Sequence, residues 1–142
     1  MIVYAESSAV LAWLFGESRG AAVRATLAAA EVVLASDLTA LECQRVLVRA
    51  SAVARLSEAN ASALRGRLAR AAASWMLLRI DDDALERAGR PFPHEPVRTL
   101  DALHLGTALA ARAAVPDVQL LSLDDRVRQN GAALGFVVIP EG

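Results

Sequence analysis

The sequence predicts an α/β fold, a three-layer α/β/α sandwich around a mostly parallel sheet. Two observations carry that prediction. Short runs of four to six apolar residues recur along the chain, without the polar alternation of a half-wetted strand. Stretches with helical spacing alternate with these runs, and that order of strand and helix requires a sheet covered on both faces. At 142 residues the chain is long enough for one proper core, and it shows no repeat, linker or low-complexity segment. A single domain over residues 1–142 is the expectation.

Each element has its own signal. Residues 2–5, Ile-Val-Tyr-Ala, read as a buried strand cut off by the helix-capping residues Glu6-Ser7-Ser8. A helix over 8–15 stops at Gly16, and a second covers 18–30. Residues 32–35, Val-Val-Leu-Ala, form the next strand, broken by Ser36-Asp37. A long helix over 39–51 opens with Thr39-Ala40-Leu41-Glu42, the spacing of a capping box. An Ala/Arg helix over 57–74 forms a hairpin with it. Residues 75–80 are a third strand, followed by the acidic run Asp81-Asp82-Asp83 and a short helix ending at Ala88. A loop from Gly89 to Pro96 holds three prolines. The stretch 98–112 is helical, with Thr99 as candidate N-cap and Asp101 in the first turn, where the helix dipole favours a carboxylate. Leu105, Ala108 and Arg112 share the face of Asp101, so this acid heads a mostly apolar row. Strand 118–121, helix 124–134 and strand 136–139 close the chain.

Composition excludes several classes. A net charge of −1 is wrong for a globally basic nucleic-acid binder, though not for a local basic patch. Cys43 is the only cysteine, so no internal disulfide forms, and its apolar neighbours suit a buried, reduced thiol. No apolar run approaches a membrane span, and the first residues lack the order of a signal peptide. A cytoplasmic protein is expected. There is no GxGxxG or Walker-type loop and no lysine, which argues against a nucleotide or phosphate-receiver domain.

In parallel sheets the functional crevice lies at the carboxyl ends of the strands. Glu6 follows the first strand, and Asp124 lies just beyond strand 118–121. Glu42 is placed in the first turn of the helix after the second strand, and Asp101 opens its own helix. Each has a plain structural explanation: Glu42 as part of a capping box, Asp124 as an N-cap, Glu6 as a strand end, Asp101 as a partner of the helix dipole. Ser122 with Asp125 offers a rival capping box at the last helix. Four acids gathered at one edge are harder to explain that way, because unneutralised they repel.

The blocks Tyr4-Ala-Glu6-Ser-Ser8-Ala-Val-Leu, then Glu42, then Arg98-Thr-Leu-Asp101-Ala-Leu-His-Leu, then Leu121-Ser-Leu-Asp124 resemble the PIN domain. Within that family the chain looks like a VapC-type toxin ribonuclease of a bacterial toxin–antitoxin pair. The resemblance spans essentially the whole chain. It implies a magnesium- or manganese-dependent endoribonuclease whose acids correspond to Glu42, Asp101 and Asp124, with Ser8 matching a small hydroxyl residue after the first acid. It also implies an antitoxin partner and a homodimer. The family's first acid is usually Asp, whereas this chain has Glu6. The extra methylene moves the carboxylate by about 1–1.5 Å, and a shift of order 1 Å can cost roughly a hundredfold in rate.

An all-carboxylate set favours magnesium or manganese over zinc. Glu6 and Asp101 are expected as the most direct ligands, with Glu42 and Asp124 completing the set. Ser8 is a candidate for RNA contact, and His104, one turn after Asp101, for substrate contact or proton donation. Between Cys43 and Arg79 the chain has seven Arg and one Glu, a basic segment suited to RNA phosphates, with Arg45 and Arg49 nearest Glu42. Ordinary solvated arginine, or a docking face for an acidic partner, explains the segment as well. Trp13-Leu14-Phe15 fits core packing or a surface for an antitoxin helix. The rival reading is a catalytically weakened PIN-like module that binds RNA or an antitoxin without efficient cleavage.

Overall fold

The computed structural model describes all residues, Met1–Gly142. Its elements are β1 (Ile2–Ala5), α1 (Ser7–Leu14), α2 (Gly20–Ala29), β2 (Val32–Ser36), α3 (Asp37–Ala52), α4 (Glu58–Ala72), β3 (Met76–Leu78), α5 (Asp82–Ala88), α6 (Thr99–Ala114), β4 (Val118–Leu121), α7 (Asp125–Ala133) and β5 (Val138–Ile139). All five strands are parallel, in the order β3-β2-β1-β4-β5. The chain therefore begins at the centre, builds outward to β3, then crosses back to lay β4 on the free side of β1. Between β1 and β4 the winding direction reverses, which in open α/β sheets opens a crevice beyond the strand ends.

Side chains alternate across the sheet, and both faces are buried. Val3 and Ala5 point into one core with Val10, Val23, Cys43 and Leu68, under α1–α4. Tyr4 points the other way, into a second core with Leu105, Ala108, Leu120, Val127 and Phe136, under α6 and α7. Two cores divided by a sheet are the three layers expected from the sequence. No helix is long and apolar enough to cross a membrane. The Cys43 thiol is fully enclosed, and burial pushes its ionisation up to about 12.

The structure departs from the sequence reading mainly at element ends. The outer strands are shorter than expected, because an edge strand has one hydrogen-bonding neighbour instead of two. β3 spans Met76–Leu78 rather than 75–80, and Met76 and Leu77 are exposed. β5 keeps only Val138–Ile139, and Phe136 packs into the second core before the strand begins.

Three caps also differ. Ser36, not Thr39, caps α3, accepting the Thr39 N–H at 3.3 Å. Thr39 instead donates its hydroxyl to the Ala5 carbonyl at 3.0 Å, pinning α3 to the end of β1. The expected capping box is absent, and Glu42 falls in the second turn, free for other contacts. Arg98 occupies the N-cap position of α6 without a side-chain cap bond, so Thr99 is the first helical residue. Ser122 and Asp125 form no capping box either, since Asp124 caps α7 through a 2.9 Å bond from Val127 N–H.

The helix that carries Asp101 is held in place by a close backbone approach. A Cβ on Gly106 would lie 2.7 Å from the Ala84 carbonyl oxygen and 2.8 Å from the Ala88 nitrogen, both backbone atoms of α5. Gly106→Ala gains helix propensity of about 1 kcal/mol. Separating two packed helices costs more, so we expect a net loss of about 1–2 kcal/mol, measured as a lower urea midpoint at unchanged slope.

Candidate active site

Glu6 leaves the centre of the sheet where β1 ends, its backbone N–H bonded to the Leu121 carbonyl of β4 at 2.9 Å. That is where the winding reverses. The side chain folds back to cap α1, accepting the Ser8 N–H at 3.1 Å. Its second oxygen accepts the hydroxyls of Ser8 and, at 2.8 Å, of Ser122. Glu6 is only 4% exposed. Ser8 in turn accepts the backbone N–H groups of Leu123 and Asp124, at 2.9 and 3.0 Å. One hydroxyl thus ties the first acid to the turn that carries the last.

Glu42 reaches the same edge from α3. Ser7 donates to it at 2.6 Å, and His104 Nε2 lies 2.5 Å from the same oxygen. His104 Nε2 is also 3.9 Å from Glu6, so one imidazole spans both glutamates. Burial alone would raise the Glu42 carboxyl. The hydrogen bonds from His104 and Ser7, with the charges of His104 and Arg98, outweigh it and hold the group below its usual range.

Asp101 and Asp124 form the other half. Asp101 is 7% exposed, and its carboxylate pairs with Arg98 Nε at 3.1 Å. Arg98 Nη2 lies 3.7 Å from Asp124 Oδ2, the oxygen that α7 capping leaves free. The Arg98 side chain is 79% exposed, and the charges of Asp101, Asp124 and Glu42 all favour its cationic form. The repulsion expected among four bare acids is therefore offset from within: by Arg98 at the aspartates, and by His104 and serine hydroxyls at the glutamates.

No three of the Asp, Glu, His and Cys side chains are spaced to hold one metal ion as they stand. The donor chemistry nevertheless suits a hard cation. Asp101 and Asp124 already share the guanidinium of Arg98, an exposed side chain, and the charge of Glu42 adds to its field. The carboxylate oxygens of these three are the donor type that such a cation takes. Glu6, expected as a direct ligand, caps its own helix, its oxygens accepting the Ser8 N–H and the hydroxyls of Ser8 and Ser122.

The remaining expected contacts divide. Ser8 is part of the acid scaffold described above. Arg45 and Arg49 are exposed on α3, one and two turns beyond Glu42, and neither contacts the acids. His104 is fully buried, so the expectation that it meets RNA is corrected: its ring nitrogens are used by Tyr4, Ser7 and Glu42. Leu14 joins the first core, Trp13 lies under the Arg67 guanidinium, and Phe15 lines a groove with Leu11, Val46, Val53 and Leu56.

Sequence reasoning missed Ser7 and Tyr4. A signal existed for Tyr4: a phenol inside a buried strand needs a partner, and His104 is a polar ring on the facing helix. Ser7 gave none, since its neighbour Ser8 carried the motif.

The PIN domain family model matches residues 3–132. Ribonuclease VapC46 of Mycobacterium tuberculosis is 36% identical over 137 residues, covering 96% of this chain and 95% of the relative. Among solved structures, M. tuberculosis VapC20, described as a sarcin-ricin loop cleaving toxin, superposes with a TM-score of 0.65 at 18% identity, covering 95% of this chain and 96% of that one. VapBC2 of Rickettsia felis, bound to a promoter DNA fragment, gives 0.67 at 8% identity, covering 97% of each chain. At such identities these two likenesses concern the fold alone.

The depressed Glu42 carboxyl links the site to acid stability. Its folded pKa lies below the usual 4.5, so its contribution is present above that value and is lost as pH falls through the folded pKa. Glu42→Gln removes this dependence. Urea midpoints measured from about pH 2 to 6 should show a shallower acid decline for the variant, with the two proteins converging at the acid end.

Proposed function

Because the chain belongs to the PIN domain family and, within it, groups with the VapC proteins, we propose that it is an endoribonuclease acting as the toxin of a toxin–antitoxin pair. The observation that carries this reading is the convergence of Glu6, Glu42, Asp101 and Asp124 at the switch point of the sheet. Asp101, Asp124 and Glu42 would hold magnesium or manganese, with Glu6 completing the set. When bound, such an ion supplies Lewis acidity for activating water and for charge on the phosphodiester.

The protein's own groups do the rest. Arg98, once free of Asp101 and Asp124, would offer five guanidinium donors to the scissile phosphate. Glu42, kept ionised by His104 and Ser7, orients the attacking water. Arg45 and Arg49 extend the phosphate track along α3, at a salt-dependent gain in affinity. The groove holding Phe15, Leu11 and Val46 is apolar with Arg49 and Arg55 at its rim, suited to an amphipathic, partly acidic antitoxin helix. A homodimer acting in the cytoplasm completes this reading. The buried Glu6 favours the second reading, a weakened module that binds without efficient cleavage.

Single-stranded or looped RNA incubated with the protein should be cut with magnesium or manganese, and cutting should stop with chelator. Cleavage that persists in excess chelator would remove the metal from the reading. Glu6→Asp should cleave at least as well as the parent, because it restores the family's usual acid and aspartate is also a good N-cap. Glu6→Ala should lose cleavage and, through the lost cap, about 0.5–2 kcal/mol of stability. A parent that binds manganese and RNA but leaves the RNA intact supports the weakened module.

Arg98 gives an independent test. Its guanidinium competes with a divalent ion for Asp101 and Asp124, so Arg98→Gln should bind manganese severalfold more tightly in calorimetry. The same variant should cleave more slowly, having lost a phosphate contact. Weaker manganese binding by the variant would place Arg98 outside the cation site.

A further inference from the structure

The buried polar groups beneath Glu42 are more than a satisfied core. Tyr4 Oη lies 2.9 Å from His104 Nδ1, His104 Nε2 lies 2.5 Å from Glu42, and Ser7 Oγ lies 3.0 Å from that nitrogen and 2.6 Å from the same carboxylate oxygen. Tyr4 and His104 are completely buried, on facing elements of the second core, and their rings meet edge-on at 68°. Glu42 is the only member of the chain of bonds that reaches solvent.

We infer that His104 is a positioning residue for Glu42, held in one tautomer by Tyr4, so that the carboxylate is aimed at the metal position from beneath. This rests on the endoribonuclease reading above and extends it inward by two residues. The proton assignment follows from the contacts. Glu42 is ionised, so the proton in its short contact with the imidazole belongs to Nε2. Burial keeps the Tyr4 phenol protonated, so its hydroxyl can donate to Nδ1 and leave Nε2–H turned to Glu42. An imidazole in the other tautomer would present a lone pair to a carboxylate, and Glu42 would be driven off. The geometry resembles the outer-shell hydrogen bonds that orient metal-binding side chains, whose loss typically costs 10–100-fold in affinity or activity. Its order is reversed here: the histidine supports the carboxylate.

Tyr4→Phe, His104→Leu and His104→Gln test this. Tyr4→Phe removes one oxygen, and His104→Leu keeps a bulky side chain without any donor. His104→Gln restores an amide N–H that can reach Glu42. Manganese binding is measured by calorimetry, cleavage of single-stranded RNA as kcat and KM, and folding by thermal melting. His104→Leu should lose about 10–100-fold in manganese affinity and kcat, while KM for RNA changes by less than about twofold. His104→Gln should recover most of both. Tyr4→Phe should show a smaller loss, with the nitrogen-15 spectrum of His104 changing from one tautomer to a mixture.

If His104→Leu does not fold, Tyr4→Phe and His104→Gln decide alone. Folded variants that bind manganese and cleave like the parent overturn the inference and leave the endoribonuclease reading intact. A parent that neither binds manganese nor cleaves overturns that reading, and the inference with it. A loss confined to melting temperature makes His104 a structural core residue and also overturns the inference.

Discussion

The site depends on the parallel pairing of β1 with β4. Their register sets Ala5 beside Leu121, and the next residue continues it with a backbone bond from Glu6 to Leu121. Strands distant in sequence thus end side by side, and the loops after them face the same gap. α3 is drawn to that gap by the Thr39 hydroxyl on the Ala5 carbonyl, and α6 by its packing over Tyr4 and Leu120. A one-residue slip in this pairing would turn every side chain of β4 to the opposite core. The acids converge because the sheet's centre admits one register.

Around that pairing, charge is arranged in two halves of different character. In the glutamate half, buried imidazole and serine donors fill the carboxylate lone pairs. The aspartate half is about as exposed, but its partner is one guanidinium that reaches solvent. Donors in a water-poor environment hold a carboxylate rigidly, because no solvent competes for its oxygens. A guanidinium on a long exposed stem is screened and costs little to move. The first half therefore provides geometry, and the second provides an exchangeable position.

Much of this was legible in the sequence. All-apolar runs marked the strands, and their alternation with helices specified the layers. The acids at the strand ends announced the edge at which they meet. Local capping was less legible, since Ser36 and Thr39 carry equally good oxygens and the choice between them depends on Ala5, remote in sequence. The ends of β3 and β5 were over-read because Trp75 and Phe136 have strand-like composition, while edge pairing is decided by the neighbouring strand. The capping role of Glu6 was legible beside Ser8, but its second partner, Ser122, lies 116 residues away. Polar partners of that kind leave no periodic trace.

The Arg98 bridge carries a consequence for how this protein is made. A site that brings its own counter-charge does not have to wait for an outside cation before its acids can be packed together. Newly synthesised chains can therefore close this edge of the sheet with the aspartates already paired, whatever the ionic content of their surroundings.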